Sequence, residues 1–178
     1  MALNPLKARL KNRLSKQEVD LLSTEILSGI LEPGEIRALL LETDRTVLFN
    51  LYWILATSAN RSSRALTGLE TDIFRAMMLH RDNESVVRSV LSVFKQVPVP
   101  ESIEDGLYHF CYHVAESADS PIAHRSFALV ICARLCKKYP ELSAELLPLA
   151  KQVEETYGTV SPGVRSAARQ VLRMLTPR

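Results

Sequence analysis

The sequence is poor in the features that mark most enzyme and membrane classes. Its 178 residues include only six glycines, and no G-x-G-x-x-G, P-loop, G-x-S-x-G or H-E-x-x-H motif occurs. The common phosphate cradles, nucleophile elbows and zinc helices therefore have no sequence basis, and no cofactor is called for. Three cysteines, Cys111, Cys132 and Cys136, cannot form an even disulfide framework, and they read as reduced thiols of a cytoplasmic protein. Neither sign of charge dominates: 22 Lys and Arg face 20 Asp and Glu, a net of +2. That argues against a strong overall nucleic-acid footprint, although local patches matter more than totals. No stretch approaches the ~18–20 consecutive apolar residues of a membrane span. No apolar run follows the N-terminal cations, as a secretory signal requires. Residues 1–16 carry Lys7, Arg9, Lys11, Arg13 and Lys16 with no acid, as transit peptides do, but acids return at Glu18 and Asp20. No Asn-Gly or Asp-Gly pair separates alternating segments, so strand signals are nearly missing.

Helix signals fill the space left. Leu6, Leu10 and Leu14 recur every four residues, and Ser15-Lys16-Gln17-Glu18 is a capping-box pattern ahead of Val19, Leu22, Ile26 and Ile30. Pro33-Gly34 reads as the end of that helix, followed by a short helix near 35–42. Asp44 is placed to cap a helix through Leu48, Leu51, Trp53 and Leu55 to about Ser58, with 60–63 a polar loop. Thr67-Gly68-Leu69-Glu70 reads as a second capping box opening a helix with Ile73, Phe74, Met77 and Met78. Asp82-Asn83 breaks it. Val86, Val90, Phe94 and Val97 mark the next helix, and Ile103, Leu107, Phe110 and Val114 the one after. Ser120-Pro121 and Ser161-Pro162 each open a helix, with proline where its missing N–H costs nothing. The first should reach about Tyr139, and Pro148 should kink or split the helix of 141–157.

Three helices begin alike. Val86-Val87-Arg88-Ser89, Ala123-His124-Arg125-Ser126 and Gly163-Val164-Arg165-Ser166 place Arg-Ser pairs 37 and 40 residues apart, and counting back a similar interval from Arg88 reaches Phe49-Asn50. Each such helix follows another amphipathic helix, so the unit is a helical hairpin present about four times. Asp82 and Asp119 each lie six residues before an arginine of the set. This pattern resembles the HEAT repeat over residues 44–176, best at 68–139. Thr159 stands where the last unit should carry Asp, and Phe49 where the first should carry Arg; terminal repeats are often atypical. The resemblance implies an all-α, right-handed α-α superhelix of about four hairpins over 44–178, with capping helices over 1–43, as one domain. It further implies that second helices line a concave face and that Asp and Arg form a ladder between repeats.

The candidate binding residues follow from that frame. Arg88, Arg125 and Arg165 would align along one side. Arg169 and Arg173 would continue the last helix at four-residue steps, Lys95 would lie two turns beyond Arg88, and Trp53 would share the groove. Guanidinium forks match carboxylates and phosphates. Against this, Asp82 and Asp119 are placed to pair with Arg88 and Arg125 internally, whereas Arg165, Arg169 and Arg173 lack a matching acid. His109 and His113 have a metal-compatible spacing but share with Asp105 and Glu116 a face opposite the apolar stripe, which reads as solvated surface. Cys132 and Cys136, at the same spacing, read as small core residues. The cationic N-terminal helix reads mainly as a cover for the first repeat.

No catalytic constellation emerges. The resemblance extends to alkylation-repair DNA glycosylases, which are built from similar repeats, but Thr57 stands one turn beyond Trp53, where such an enzyme needs an acid. All-helical lyases are far longer. The expectation is a non-catalytic scaffold that binds a protein or peptide through Trp53 and the cations above. The alternative is nucleic-acid backbone binding through the same cations and those of the N-terminus.

Overall fold

The computed structural model describes residues 4–176, and every regular element among them is helical. Two compact units are distinguished, Met1–Pro100 and Glu101–Arg178.

In the N-terminal unit, α1 (Pro5–Leu10) starts at Asn4, whose side chain accepts from the N–H groups of Leu6 and Lys7. α2 (Lys16–Leu27) opens on a complete Ser15–Glu18 capping box. It ends earlier than its apolar spacing suggests. Gly29, at φ +74°, donates to Ile26 O while Ile30 donates to Glu25 O, the paired bonds of a Schellman stop. Pro33 therefore opens α3 (Pro33–Arg37) at its first turn instead of closing α2. Asp44 caps α4 (Arg45–Arg61) through Thr46 and Val47. The expected polar loop after Ser58 begins later, because Asn60 bonds back to Ala56 O and keeps the last turn wound. α5 (Glu70–Leu79) lacks the capping box read from Thr67 and Glu70. With Gly68 at φ +85°, Glu70 accepts from the Gly68 N–H, and Thr67 donates to Arg64 O. α6 (Glu84–Phe94) is capped by Asn83.

α4 is the hub of this unit, packed by α1, α2 and α6, while α5 packs on α6. Leu6, Leu10 and Leu14 are buried, as are Val47, Leu51 and Leu55 of α4. Asn50, wholly buried, donates to the carbonyls of Leu10 and Asn12 and so fastens the α1–α2 link to α4; its Oδ1 has no partner. α4 and α6 run parallel. At their C-terminal ends Asn60 donates to Ser92 and accepts from Gln96, while Phe49 and Arg45, near the start of α4, share a cleft with Asn83, Glu84 and Ser85.

In the C-terminal unit, α7 (Glu101–Glu116) pairs with α8 (Ile122–Cys136), and α9 (Ser143–Tyr157) with α10 (Pro162–Leu175). α8 also packs on α10, and α7 on α9. α8 stops at Cys136, short of Tyr139, and a 3-10 turn at Pro140–Leu142 leads into α9. Pro148 sits inside one unbroken helix. Both Pro148 and Ala144, whose carbonyl loses its usual donor, are exposed, so water can take that bond. Cys111, Cys132 and Cys136 are buried and unbridged. Burial pushes the Cys132 thiol well up, with Cys111 beside it, and raises Cys136 to about 11, so both stay protonated near neutrality.

Glu104 ties α7 to the segment after α8. Only 7% exposed, it accepts from Lys138 Nζ at 2.8 and 3.0 Å and from the Tyr139 hydroxyl at 2.5 Å. The Lys138 bond first, and the Tyr139 bond second, hold its carboxyl below the usual range. A lowered folded-state pKa contributes stability that is complete above the unfolded value of about 4.3 and is lost as pH falls through the lower folded value. Melting temperature should therefore drop on acidification below about pH 4.5, and Glu104→Gln should flatten that acid limb while lowering stability at neutral pH. A Tm series over pH reads both; parallel curves for the two proteins would refute the role.

Candidate functional site

The burial pattern sets the true register of the repeat. Val86, Val87, Val90, Leu91, Val93 and Phe94 of α6 recur as His124, Arg125, Ala128, Leu129, Ile131 and Cys132 of α8, all buried. The same pattern in α4 is Val47, Leu48, Leu51, Tyr52, Ile54 and Leu55. Arg125 thus matches Val87 and Leu48, while Arg88 matches Phe49 and Ser126. The Arg-Ser alignment is one residue out at Arg88, because a two-residue match cannot distinguish a buried position from its exposed neighbour. In α10 Val164, Ala168 and Val171 match His124, Ala128 and Ile131, so Arg165 does correspond to Arg125.

Arg125 is not available as a binding residue. It is 1% exposed, and it does not pair with Asp119 as the resemblance implied. Its Nη1 donates to Ala115 O at 3.0 Å, and its Nη2 to Ala118 O at 2.9 Å and Ser120 O at 3.0 Å. The ring of Tyr157 lies 4.2 Å from the guanidinium carbon, and Nε has no partner. The cation sits at the C-terminal end of α7, where the helix dipole is negative and the last carbonyls lack intrahelical donors. The arginine fork donates to several diverging carbonyls at once, so its donors are met without a carboxylate. Arg165, at the equivalent position, is exposed.

The arginines of α10 are also differently placed than expected. Arg169 does have an acid: its Nε lies 2.6 Å from Glu154 of α9. A Cβ on Gly158 would lie 3.4 Å from the Arg165 Cβ, so this row runs along the α9–α10 seam. Arg173 is exposed one turn further. His109 Nδ1 lies 3.2 Å from its neighbour Asp105 on an exposed face, and no cluster of three metal-ligating side chains is present among the described residues.

The remaining candidates share one surface of the N-terminal unit. Exposed or half-buried residues of α4 (Arg45, Phe49, Trp53, Thr57) follow one another at four-residue steps. The row of α6 (Ser85, Arg88, Ser92), continued by Gln96 just past its end, runs parallel beside it, tied through Asn60. Phe49 and Trp53 contact each other, with centroids 5.8 Å apart and planes tilted by 56°. Lys95, half-buried, caps the end of α6 two turns beyond Arg88. Neither Asp82 nor Arg88 makes an ion pair among the described residues, and both are exposed, so the expected ladder contact is not formed.

Two recesses flank the aromatic pair. One, of about 670 Å³, is lined by Arg13, Leu14, Lys16, Arg45, Phe49 and Trp53, with Ser15, Thr46 and Asn50 completing it. The other, of about 600 Å³, shares Arg45 and Phe49 but adds Leu79, His80, Asp82 and Glu84. Arg13 and Lys16 belong to the N-terminal cations of the alternative reading; Arg45 is the addition, and the spacing Arg45–Phe49–Trp53 is legible as one helical face. Their meeting with Arg13 and Lys16 is not, since it depends on how the link before α2 packs on α4.

These features define a class: a protein of packed helical hairpins whose exposed second-helix faces carry aromatic and cationic side chains. A family model described as a HEAT repeat domain matches residues 6–175, and the chain belongs to that family. HEAT repeats form helical scaffolds that commonly bind proteins. No curated protein and no solved structure matches the chain. No described helix is long and apolar enough to cross a membrane.

Proposed function

We propose that the chain is a non-catalytic scaffold that holds a protein partner on the α4–α6 face of its N-terminal unit. The observation that carries this reading is the exposed Phe49 packed on half-buried Trp53, with exposed Arg88 at the matching position of the parallel helix α6. Phe49 is 46% exposed although the positions around it are buried. Aromatic and arginine side chains are enriched among hot spots at protein interfaces: the rings bury much area at little conformational cost, and the guanidinium adds directed hydrogen bonds and charge. Trp53 supplies the apolar anchor and Arg88 the charge complementarity, with Arg165 and Arg173 of the C-terminal unit as separate candidates.

The test is capture of partners from lysate of the source organism on the tagged chain, with and without nuclease, followed by affinity measurement on the purified partner. Trp53→Ala with Arg88→Glu should weaken a nuclease-resistant partner by about a hundredfold, the scale of a lost hot spot. Lys151→Glu, on an exposed position of α9, should leave that affinity unchanged. A partner indifferent to the α4–α6 variant refutes this face, and material lost on nuclease treatment, with steep salt dependence, would point to nucleic acid instead.

A further inference from the structure

We infer that the two recesses flanking Phe49 form one peptide-binding groove, whose occupant is a partner segment with acidic residues, then an aromatic or large aliphatic residue, then basic residues. This rests on the scaffold reading and specifies its ligand. The first recess is lined by Arg13, Lys16 and Arg45 and by no carboxylate. Lys16 is paired with Asp20, but that pair is exposed, at 2.5 Å between neighbours one turn apart. Arg13 and Arg45 make no ion pair among the described residues. Asp44, the nearest acid in sequence to Arg45, is committed to capping α4. The apolar wall is Leu14 with the tilted Phe49–Trp53 corner, which fits a side chain wedged between two rings.

The charge balance changes across Phe49: Arg45 lines both recesses, but carboxylates line only the second. The second recess presents Asp82 and Glu84, both exposed, with the exposed side chain of Leu79 beside them. This change separates two classes of ligand. A nucleic-acid strand carries a negative charge at every step, so extending past Phe49 it would meet Asp82 and Glu84. The tilt between the rings also denies it a flat stacking platform. A peptide can change sign along its length, with acids opposite Arg13 and Arg45, a ring in the aromatic corner and bases opposite Asp82 and Glu84. Each recess lies within the ~300–1,000 Å³ typical of ligand clefts.

Trp53 is the sole tryptophan and reports occupancy directly. The probe is an end-blocked peptide, Asp-Glu-Asp-Phe-Leu-Ser-Lys-Lys, titrated against the full chain while Trp53 emission is followed. A peptide of the same composition with both charge blocks scattered, and a single-stranded oligothymidylate, are titrated in parallel. The block peptide should bind and shift the emission. Arg13→Glu with Arg45→Glu should weaken it about tenfold or more, as should Asp82→Lys with Glu84→Lys, while the scattered peptide should bind at least about tenfold more weakly. Circular dichroism melts confirm that each variant is folded. Equal binding of the two peptides, binding indifferent to the arginine variant, or tighter binding of the oligonucleotide would each overturn the assignment. If captured partners are lost on Trp53→Ala with Arg88→Glu while the probe never binds, the occupant is wrong and the face stands; if neither responds, both readings fail.

Discussion

Arg125→Ala should lower the unfolding free energy by about 3–5 kcal/mol, the largest effect expected of any single arginine here. The side chain is buried with no carboxylate, and its stabilisation comes from three carbonyl acceptors and the face of Tyr157. Removing it strands the Ala115 carbonyl, which is buried, at a cost of about 1–3 kcal/mol, and leaves a void under Tyr157. For a chain of this size the melting temperature should fall by roughly 10 °C. Arg125→Lys should recover only part of this, because a single ammonium cannot replace the guanidinium fork. Arg88→Ala is the internal comparison: exposed and without an ion pair, it should change stability by no more than about 0.5 kcal/mol. Thermal unfolding by circular dichroism separates the cases. Equal effects at Arg88 and Arg125 would refute the register drawn from burial.

Asn50→Asp should be nearly as damaging, by about 4 kcal/mol or more, and should act on the other unit. Both amide hydrogens of Asn50 are spent on the carbonyls of Leu10 and Asn12. A carboxylate there offers acceptors to acceptors and places a charge on a wholly buried side chain. Asn50→Leu, which removes the donors without adding charge, should cost less, about 2–3 kcal/mol. The local consequence is as diagnostic as the global one. α1 and the link before α2 lose their anchor on α4, so limited proteolysis should cut near 10–14 in either variant before the remainder of the unit is lost. Trp53, on the same helix, should report that loosening by its emission. An Asn50→Asp protein that melts and resists protease like the parent would show that the α1–α2 link is held by its leucines alone.

The sequence by itself determined the helices and the family. Helix starts were legible wherever a local pair suffices: Asp44 and the Ser15–Glu18 box cap as their spacing requires, since those bonds span only two or three residues. Legibility failed where a glycine turned the backbone. At Gly29 and Gly68 a positive φ redirected the bonds, moved the end of α2 and undid the second capping box. The repeat length was also readable, because a hairpin of fixed size spaces its apolar faces regularly. Tertiary structure alone decided which cations are free. Arg88, Arg125, Arg165 and Arg169 share a residue type and a periodic spacing, yet one is buried on carbonyls, one paired to Glu154 and two exposed. The physical reason is angular: a shift of one residue turns a helical side chain by roughly 100°, from solvent into the core. Only the packed neighbours, Tyr157 above Arg125 and the Arg13 segment beside Phe49, fix what each residue can bind.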